Sequence, residues 1–180
     1  MRRLGTCFAL ISLGLLASGA ARADSVHASR EYEIKAAYLY NFTKFVEWPQ
    51  QALAAGAPLV LGAFCDDSFT TTLSEVVKGR EVNGHHIEVR RLFSAEEART
   101  VQVAFVCAAY DGKYAGMKTV TTGLPVLTVG ETPESESKGA AITFVLDDDK
   151  VRFAVNTEPA ERVGLKISAQ LQKLAVHRDP

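Results

Sequence analysis

The sequence predicts a single α/β domain in which a mostly parallel, doubly wound sheet is flanked by helices. Short apolar runs alternate with capped or amphipathic helical segments, a pattern typical of parallel strands joined by helical crossovers. The 180 residues are 47% hydrophobic and 23% charged, which is an ordinary globular composition. Late in the chain two β-rich runs flank a turn, which predicts an antiparallel hairpin at the sheet edge.

The first residues predict an export signal and not part of the fold. Two arginines precede an uncharged apolar stretch, residues 4–21, which leads into a small-x-small pattern at residues 21–23. We therefore predict a signal peptide over residues 1–23, a mature domain over residues 24–180 and a periplasmic location. The alternative is an uncleaved membrane anchor, for which the stretch lies near the lower length limit.

Cleavage changes the charge and the cysteine content of the chain. The formal net charge moves from −1 to −4, because the removed part holds three arginines and no acid. No basic cluster remains, which argues against a nucleic-acid partner. Two cysteines, Cys65 and Cys107, remain in an oxidising compartment, where a disulfide is favoured.

The first element of the mature domain is a predicted helix over residues 29–48. Apolar residues from Ile34 to Val46 recur at three- and four-residue spacings, which gives the helix one apolar stripe. Pro49 ends it.

The remaining elements follow in alternation. Apolar or alternating runs predict strands over residues 59–64, 86–92, 101–107, 124–129, 141–146 and 151–156. Capping residues and periodicity predict helices over residues 69–78, from Ser94 onward, over 111–121 and over 158–175, the last interrupted near Gly164. Residues 131–139 are predicted as a polar loop.

The two cysteines follow the first and third predicted strands. Those strands are neighbours and parallel in a doubly wound sheet, and adjacent strands lie about 4.8 Å apart. Bridged Cα atoms are roughly 4.4–6.8 Å apart, so Cys65 and Cys107 are within bridging reach. We predict a structural disulfide between them; the alternative is two buried free thiols.

Acidic and histidine residues provide weak metal candidates. Asp66 and Asp67 follow the first strand, but a magnesium site there would need an acid where Cys107 stands, so a helix N-cap is favoured. Three aspartates at residues 147–149 are typical of a solvated turn. His85 and His86 are adjacent on a strand and point to opposite faces, so they cannot chelate one ion together. We predict no metal and no cofactor.

Catalytic motifs are not found in the sequence. It contains no Gly-x-Ser-x-Gly, Cys-x-x-Cys, His-Glu-x-x-His or phosphate-loop pattern. We therefore predict that the protein is not an enzyme, with an unrecognised hydrolase as the remaining alternative.

Three residues of the first helix, Tyr40, Asn41 and Lys44, lie off its apolar stripe. They form a candidate ligand groove. The alternative is that they pack and cap neighbouring loops, which is the commoner role of aromatic residues in such a helix.

Two motifs resemble the YfiR-like family. Residues 32–49 read YEIKAAYLYNFTKFVEWP and are similar to its opening signature, and residues 161–168, ERVGLKIS, followed by QLQKLA, are similar to its closing segment. The resemblance covers the whole mature chain. Some relatives carry a second cysteine pair, which this chain lacks because no cysteine follows Cys107.

This resemblance implies a regulator. YfiR-like proteins are periplasmic, and the best-known members restrain an inner-membrane diguanylate cyclase, which lowers cyclic di-GMP and biofilm formation. An outer-membrane lipoprotein relieves this restraint and is a second expected partner; a homodimer is left open. Within the closing motif, Glu161, Arg162 and Ile167 are the candidate partner-binding residues, with an inward-packed Ile167 as the alternative. The alternative function is a periplasmic small-ligand sensor with a cleft at the carboxyl ends of the strands.

Overall fold

The computed structural model describes residues 18–148 and 150–176. The predicted signal peptide lies mostly outside this part of the chain, so its cleavage stays a prediction. Within residues 18–148 and 150–176, no helix has both the length and the apolar character needed to cross a bilayer.

In the described part of the chain, nine strands form two sheets. They are β1 Val46–Glu47, β2 Leu59–Phe64, β3 Glu81–Val82, β4 His85–Arg91, β5 Val103–Val106, β6 Leu127–Gly130, β7 Ile142–Asp147, β8 Lys150–Val155 and β9 Lys166–Ile167. The main sheet has the order β3-β4-β2-β5-β6-β7-β8, and the five strands from β4 to β7 are parallel. Antiparallel partners β3 and β8 form its edges. The predicted α/β class, the parallel sheet and the hairpin are confirmed.

Helices cover both faces of the main sheet. They are α1 Ser18–Phe45, α2 Asp67–Val77, α3 Tyr114–Val120, α4 Pro133–Ser137, α5 Thr157–Glu161 and α6 Ala169–Leu174, with 3-10 helices at Ala95–Thr100 and Ala108–Lys113. Because successive strand residues point to opposite faces, the sheet contributes to two separate cores. Leu61 and Ala63 pack with α1 and α2 on one face, while Val60 and Phe64 pack with α3 on the other.

The first helix and the closing segment differ from their predictions. The predicted helix over residues 29–48 ends at Phe45, and β1 pairs antiparallel with β9. The predicted helical region over residues 158–175 is accordingly divided into α5, β9 and α6. Pairing between segments so far apart in sequence outweighs the local helical pattern, because strand hydrogen bonding is a tertiary contact.

Residues 131–139, predicted as a loop, contain the short helix α4. Thr132 and Ser135 form a reciprocal capping box, and Pro133 occupies the first turn, where its missing N–H is tolerated. Ser135 is fully buried against Gly130 at the end of β6. Capping and this close contact specify the helix despite its polar composition.

Candidate functional site

The carboxyl edge of the parallel sheet carries the disulfide. Cys65 and Cys107 directly follow the adjacent strands β2 and β5, their Cα atoms are 5.4 Å apart, and both are buried. The predicted disulfide is confirmed. Strand order reverses between β2 and β5, so the disulfide lies at the point where doubly wound sheets commonly open a ligand crevice.

The α1 helix is held against this edge by Tyr32. Its hydroxyl donates to Asp66 Oδ2 at 3.0 Å, and its ring packs edge-on against Phe69 at a centroid distance of 5.2 Å. Burial, together with the hydrogen bond to Asp66 and the charge of that carboxylate, raises the pKa of Tyr32 to about 12. The hydroxyl therefore stays protonated and acts as a hydrogen-bond donor.

Asp66 is the N-cap of α2, as the sequence indicates. Its Oδ1 accepts from the Phe69 amide and from Ser68 Oγ, each at 2.8 Å. Burial favours the protonated form, but these hydrogen bonds and that of Tyr32 outweigh it and hold the pKa of Asp66 below its ordinary value. The neighbouring Asp67 pairs with Arg91. Both carboxylates thus have structural roles.

A buried ion pair adds a second tie between α1 and the sheet. The Lys35 ammonium lies 3.1 Å from Glu131 Oε1 and also pairs with Glu31 on its own helix. Glu131 follows β6, and its other oxygen accepts from the Ala108 amide at 2.9 Å, just beyond β5. No catalytic or metal-site motif in the sequence marks Lys35, although its spacing from Leu39 and Phe42 places it in the line of buried residues.

These contacts bear on the alternative function. For a small-ligand sensor, the sequence predicts a ligand cleft at this carboxyl edge. The disulfide lies at this edge and joins the ends of β2 and β5. Tyr32 and the Lys35–Glu131 pair also lie there and join α1 to residues that follow β2 and β6. The hydrogen bond of Tyr32 and the charges of Lys35 and Glu131 therefore serve to hold α1 on the sheet.

The candidate groove residues do lie together. The Lys44 ammonium lies 4.2 Å from the centre of the Tyr40 ring and donates to Asn41 Oδ1 at 3.3 Å. The guanidinium of Arg80, which sequence analysis did not predict here, lies 4.7 Å from the same ring centre. Tyr40 is largely buried, so its ring faces packing partners and two cations. A ligand-binding role for this group stays a prediction.

The candidate partner-binding residues do not share one environment. Glu161 and Arg162 are exposed at the end of α5, where Arg162 pairs with Glu158. Ile167 lies in β9 opposite Val46 and is only 8% exposed, so its side chain packs inward. Ile167 therefore packs into the core, which is the alternative stated for it above. Glu161 and Arg162 remain available to a partner.

Histidine and acidic residues show no metal-like grouping. Within the described ranges, no three His, Cys, Asp or Glu residues come together as a metal site would require. The ring nitrogen Nδ1 of His85 lies 2.7 Å from the Ala57 carbonyl, and His86 faces Glu88 at the surface. The two histidines diverge, as their adjacent positions on a strand predict.

Comparison with known proteins identifies one family. The sequence model of the YfiR/HmsC-like family matches residues 32–176. A search of curated proteins finds no match. A conserved domain protein from Vibrio cholerae O1 biovar El Tor has a similar structure, with a TM-score of 0.48 and 12% identity over 70% of this chain and 56% of that one. The ABC domain in complex with L-Trp from Streptococcus pneumonia gives the same values. The chain therefore covers little more than half the length of these structures.

Proposed function

Because the chain belongs to the YfiR/HmsC-like family, whose members are periplasmic regulators that act through protein–protein interactions, we propose that it restrains a membrane diguanylate cyclase. In this proposal the protein binds the periplasmic part of the cyclase and lowers cyclic di-GMP output, and hence biofilm formation. The observation that carries the proposal is the family match over residues 32–176, which includes nearly the whole predicted mature domain.

The two motifs that carry the resemblance also meet in the structure. Strand β1 belongs to the opening motif and β9 to the closing motif, and they pair in the register Val46↔Ile167 and Glu47↔Lys166. The inward side chains Val46 and Ile167 join the core, while Glu47 and Lys166 are exposed. The small sheet therefore offers charged side chains on a rigid base.

Helix α5 extends this surface. It contacts β9, and Leu165, between the two elements, is almost fully buried. This anchor holds the exposed Glu161 and Arg162 close to the small sheet. Exposed charges held on a rigid base suit a partner surface, because complementary charges across an interface steer the encounter and fix the register. We assign Glu161 and Arg162 to the partner surface on these grounds.

Charge reversal tests the proposal directly. Glu161→Lys and Arg162→Glu are expected to raise cyclic di-GMP in cells that contain the cyclase, and to weaken co-purification with its periplasmic part at least tenfold. Both side chains are exposed, so the melting temperature is expected to stay within about 2 °C. Glu96→Lys, an exposed glutamate in the 3-10 helix Ala95–Thr100, is the matched control.

Two results would overturn this assignment. If repression and binding survive both reversals, the partner surface lies elsewhere. If the purified chain itself makes or degrades cyclic di-GMP, and a point substitution abolishes that turnover, the protein is an enzyme.

The outer-membrane lipoprotein is proposed as a second partner because the family resemblance implies one. Competition between the lipoprotein and the cyclase for binding to the chain would test this.

A further inference from the structure

A cleft lies away from the disulfide edge. It has a volume of about 230 Å³ and opens between the C-terminal end of α3, the turn that leads into β6, and the segment after α5. Two cations, Lys118 and Arg162, line it together with threonines. Apolar side chains that include Leu124 and Val163 form the rest of the wall. This combination of charge and apolar surface is typical of small-molecule sites.

Lys118 is the less exposed of the two cations. Its ammonium donates to the Gly139 carbonyl at 3.0 Å, and no ion pair joins it to a carboxylate anywhere in residues 29–148 or 150–176. Burial, followed by the positive charge of Arg162, lowers the pKa of Lys118. The ammonium therefore faces a like charge and has a neutral carbonyl as its hydrogen-bond acceptor.

Arg162 has one carboxylate partner, Glu158, one turn earlier in the chain. A guanidinium has five N–H donors, so this single contact leaves most of its donors for a further acceptor. At the cleft, side-chain hydroxyls satisfy carbonyl groups at the C-terminal end of α3. The Thr121 hydroxyl donates to the Met117 carbonyl and the Thr122 hydroxyl to the Lys118 carbonyl, each at 2.9 Å. The exposed charge at the cleft is therefore positive.

We propose that this cleft binds a compact organic anion, with its phosphate or carboxylate oxygens between Lys118 and Arg162. An anion there would offset the repulsion between the two cations and accept charge-assisted hydrogen bonds from both. The apolar part of the ligand would pack against Leu124 and Val163. The volume lies below that of drug-sized pockets, which restricts the ligand to a small molecule. This site goes beyond the regulatory function proposed above, and it shares Arg162 with the proposed partner surface.

The first test measures binding to the mature protein. Inorganic phosphate and benzoate are titrated separately at constant ionic strength, with chloride as the balancing anion, and followed by melting temperature and calorimetry. A saturable rise in melting temperature with either probe is expected, because a ligand that binds only the native state stabilises it. Amide shifts at Gly123 and Thr128 in NMR spectra are expected to locate the ligand in the cleft. If neither probe gives a saturable change, the proposal is wrong.

Variants identify the groups that bind. Lys118→Gln and Arg162→Gln are each expected to weaken the better probe at least tenfold, whereas Lys113→Gln, an exposed lysine outside the cleft, should leave binding unchanged. Leu124→Ser is expected to weaken benzoate binding and leave phosphate binding unchanged, which distinguishes recognition of the organic body from recognition of the anionic group.

Equal weakening by Lys113→Gln would show nonspecific charge binding and overturn the proposal. If Lys118→Gln does not fold, the exposed Arg162→Gln still decides the matter. Lys118 lies outside the proposed partner surface, so its variant separates this site from cyclase binding.

Discussion

At the scale of single residues, a few polar side chains hold together elements that are distant in sequence. Asp66 caps α2 and accepts a hydrogen bond from Tyr32 on α1, while Lys35 joins α1 to Glu131 beyond β6. Each of these groups is buried or half-buried, so its partner is needed to offset the cost of leaving water. Their loss should therefore change stability more than the loss of exposed charges does.

Asp66→Ala is expected to destabilise the protein by about 1–2 kcal/mol at pH 7, because it removes an N-cap. The folded pKa of Asp66 lies below its ordinary value of 3.8, so its charge stabilises the fold above that pH and this contribution is lost as the pH falls further. The difference between wild type and variant should therefore shrink as the pH falls below 3.8. Urea unfolding at pH 7 and at acid pH measures both. Asp67→Ala, which removes a neighbouring exposed carboxylate and its surface pair with Arg91 but no cap, is the control. An equal loss for Asp66→Ala at both pH values would contradict the role of the charge.

Tyr114 provides a second prediction at this scale. Its side chain is fully buried. The Thr128 side chain lies near its hydroxyl, but among the described residues the hydroxyl makes no hydrogen bond of normal geometry. Removing a buried unpaired polar group is neutral or stabilising. Tyr114→Phe should therefore leave the free energy of unfolding unchanged or raise it by up to about 1 kcal/mol. Tyr114→Ala should cost about 3–5 kcal/mol through the cavity it creates. A loss above about 1.5 kcal/mol for Tyr114→Phe would show that the hydroxyl is bonded in solution.

At the scale of elements, close backbone approaches determine where short helices pack. Gly130 ends β6, and a Cβ there would lie 2.1 Å from Ser135 Oγ and 2.4 Å from Ser135 Cβ on α4. Ser135 is fully buried and its hydroxyl is part of the capping box, so it has little room to move. The contact between β6 and α4 therefore requires glycine.

Gly130→Ala is expected to lower the free energy of unfolding by about 1–3 kcal/mol, the usual cost of overpacking. Gly112→Ala is the matched control, because a Cβ at that position meets no atom within 4 Å and the backbone there is not left-handed. Urea unfolding of the two variants beside the wild type makes the comparison. Equal stability of the two variants would show that α4 can shift away from β6 at little cost.

At the scale of the whole molecule, the disulfide joins the two central strands from which the sheet extends in both directions. It closes a chain segment with a sequence separation of 42 residues. A cross-link over a loop of this length restricts the unfolded chain and stabilises the native state by about 4 kcal/mol on the chain-entropy estimate. Both half-cystines are buried, so the bond is part of the core.

Reduction of the disulfide is therefore expected to lower the free energy of unfolding by about 4 kcal/mol. Urea unfolding with and without a phosphine reductant measures the change, and the double variant Cys65→Ala/Cys107→Ala should show a similar loss. Thiol titration of the unfolded, unreduced mature protein should find almost no free thiol. About two equivalents of thiol, or equal stability with and without reductant, would contradict a structural role for this bond.

The sequence by itself determined the parts of this protein whose signals are local. The apolar run Leu59–Phe64 predicts both the first and the last residue of β2 correctly, and Asp66 is recognisable as a helix cap. The alternation of strands and helices is enough to place Cys65 beside Cys107. The family resemblance rests equally on contiguous motifs, and the family match confirms it. Such features depend on neighbours within a few residues, which the sequence contains.

Tertiary structure alone decided the features that depend on distant partners. Val46 and Glu47 leave the helical pattern because Ile167 and Lys166 pair with them, and that pairing buries Ile167, which the sequence had left open between core and surface. Lys35 lies inside the protein because Glu131 stands at the end of another strand. In each case the free energy comes from hydrogen bonds or charges across at least 90 residues of chain. No local propensity reports such contacts, because they exist only once the sheet has brought both partners together.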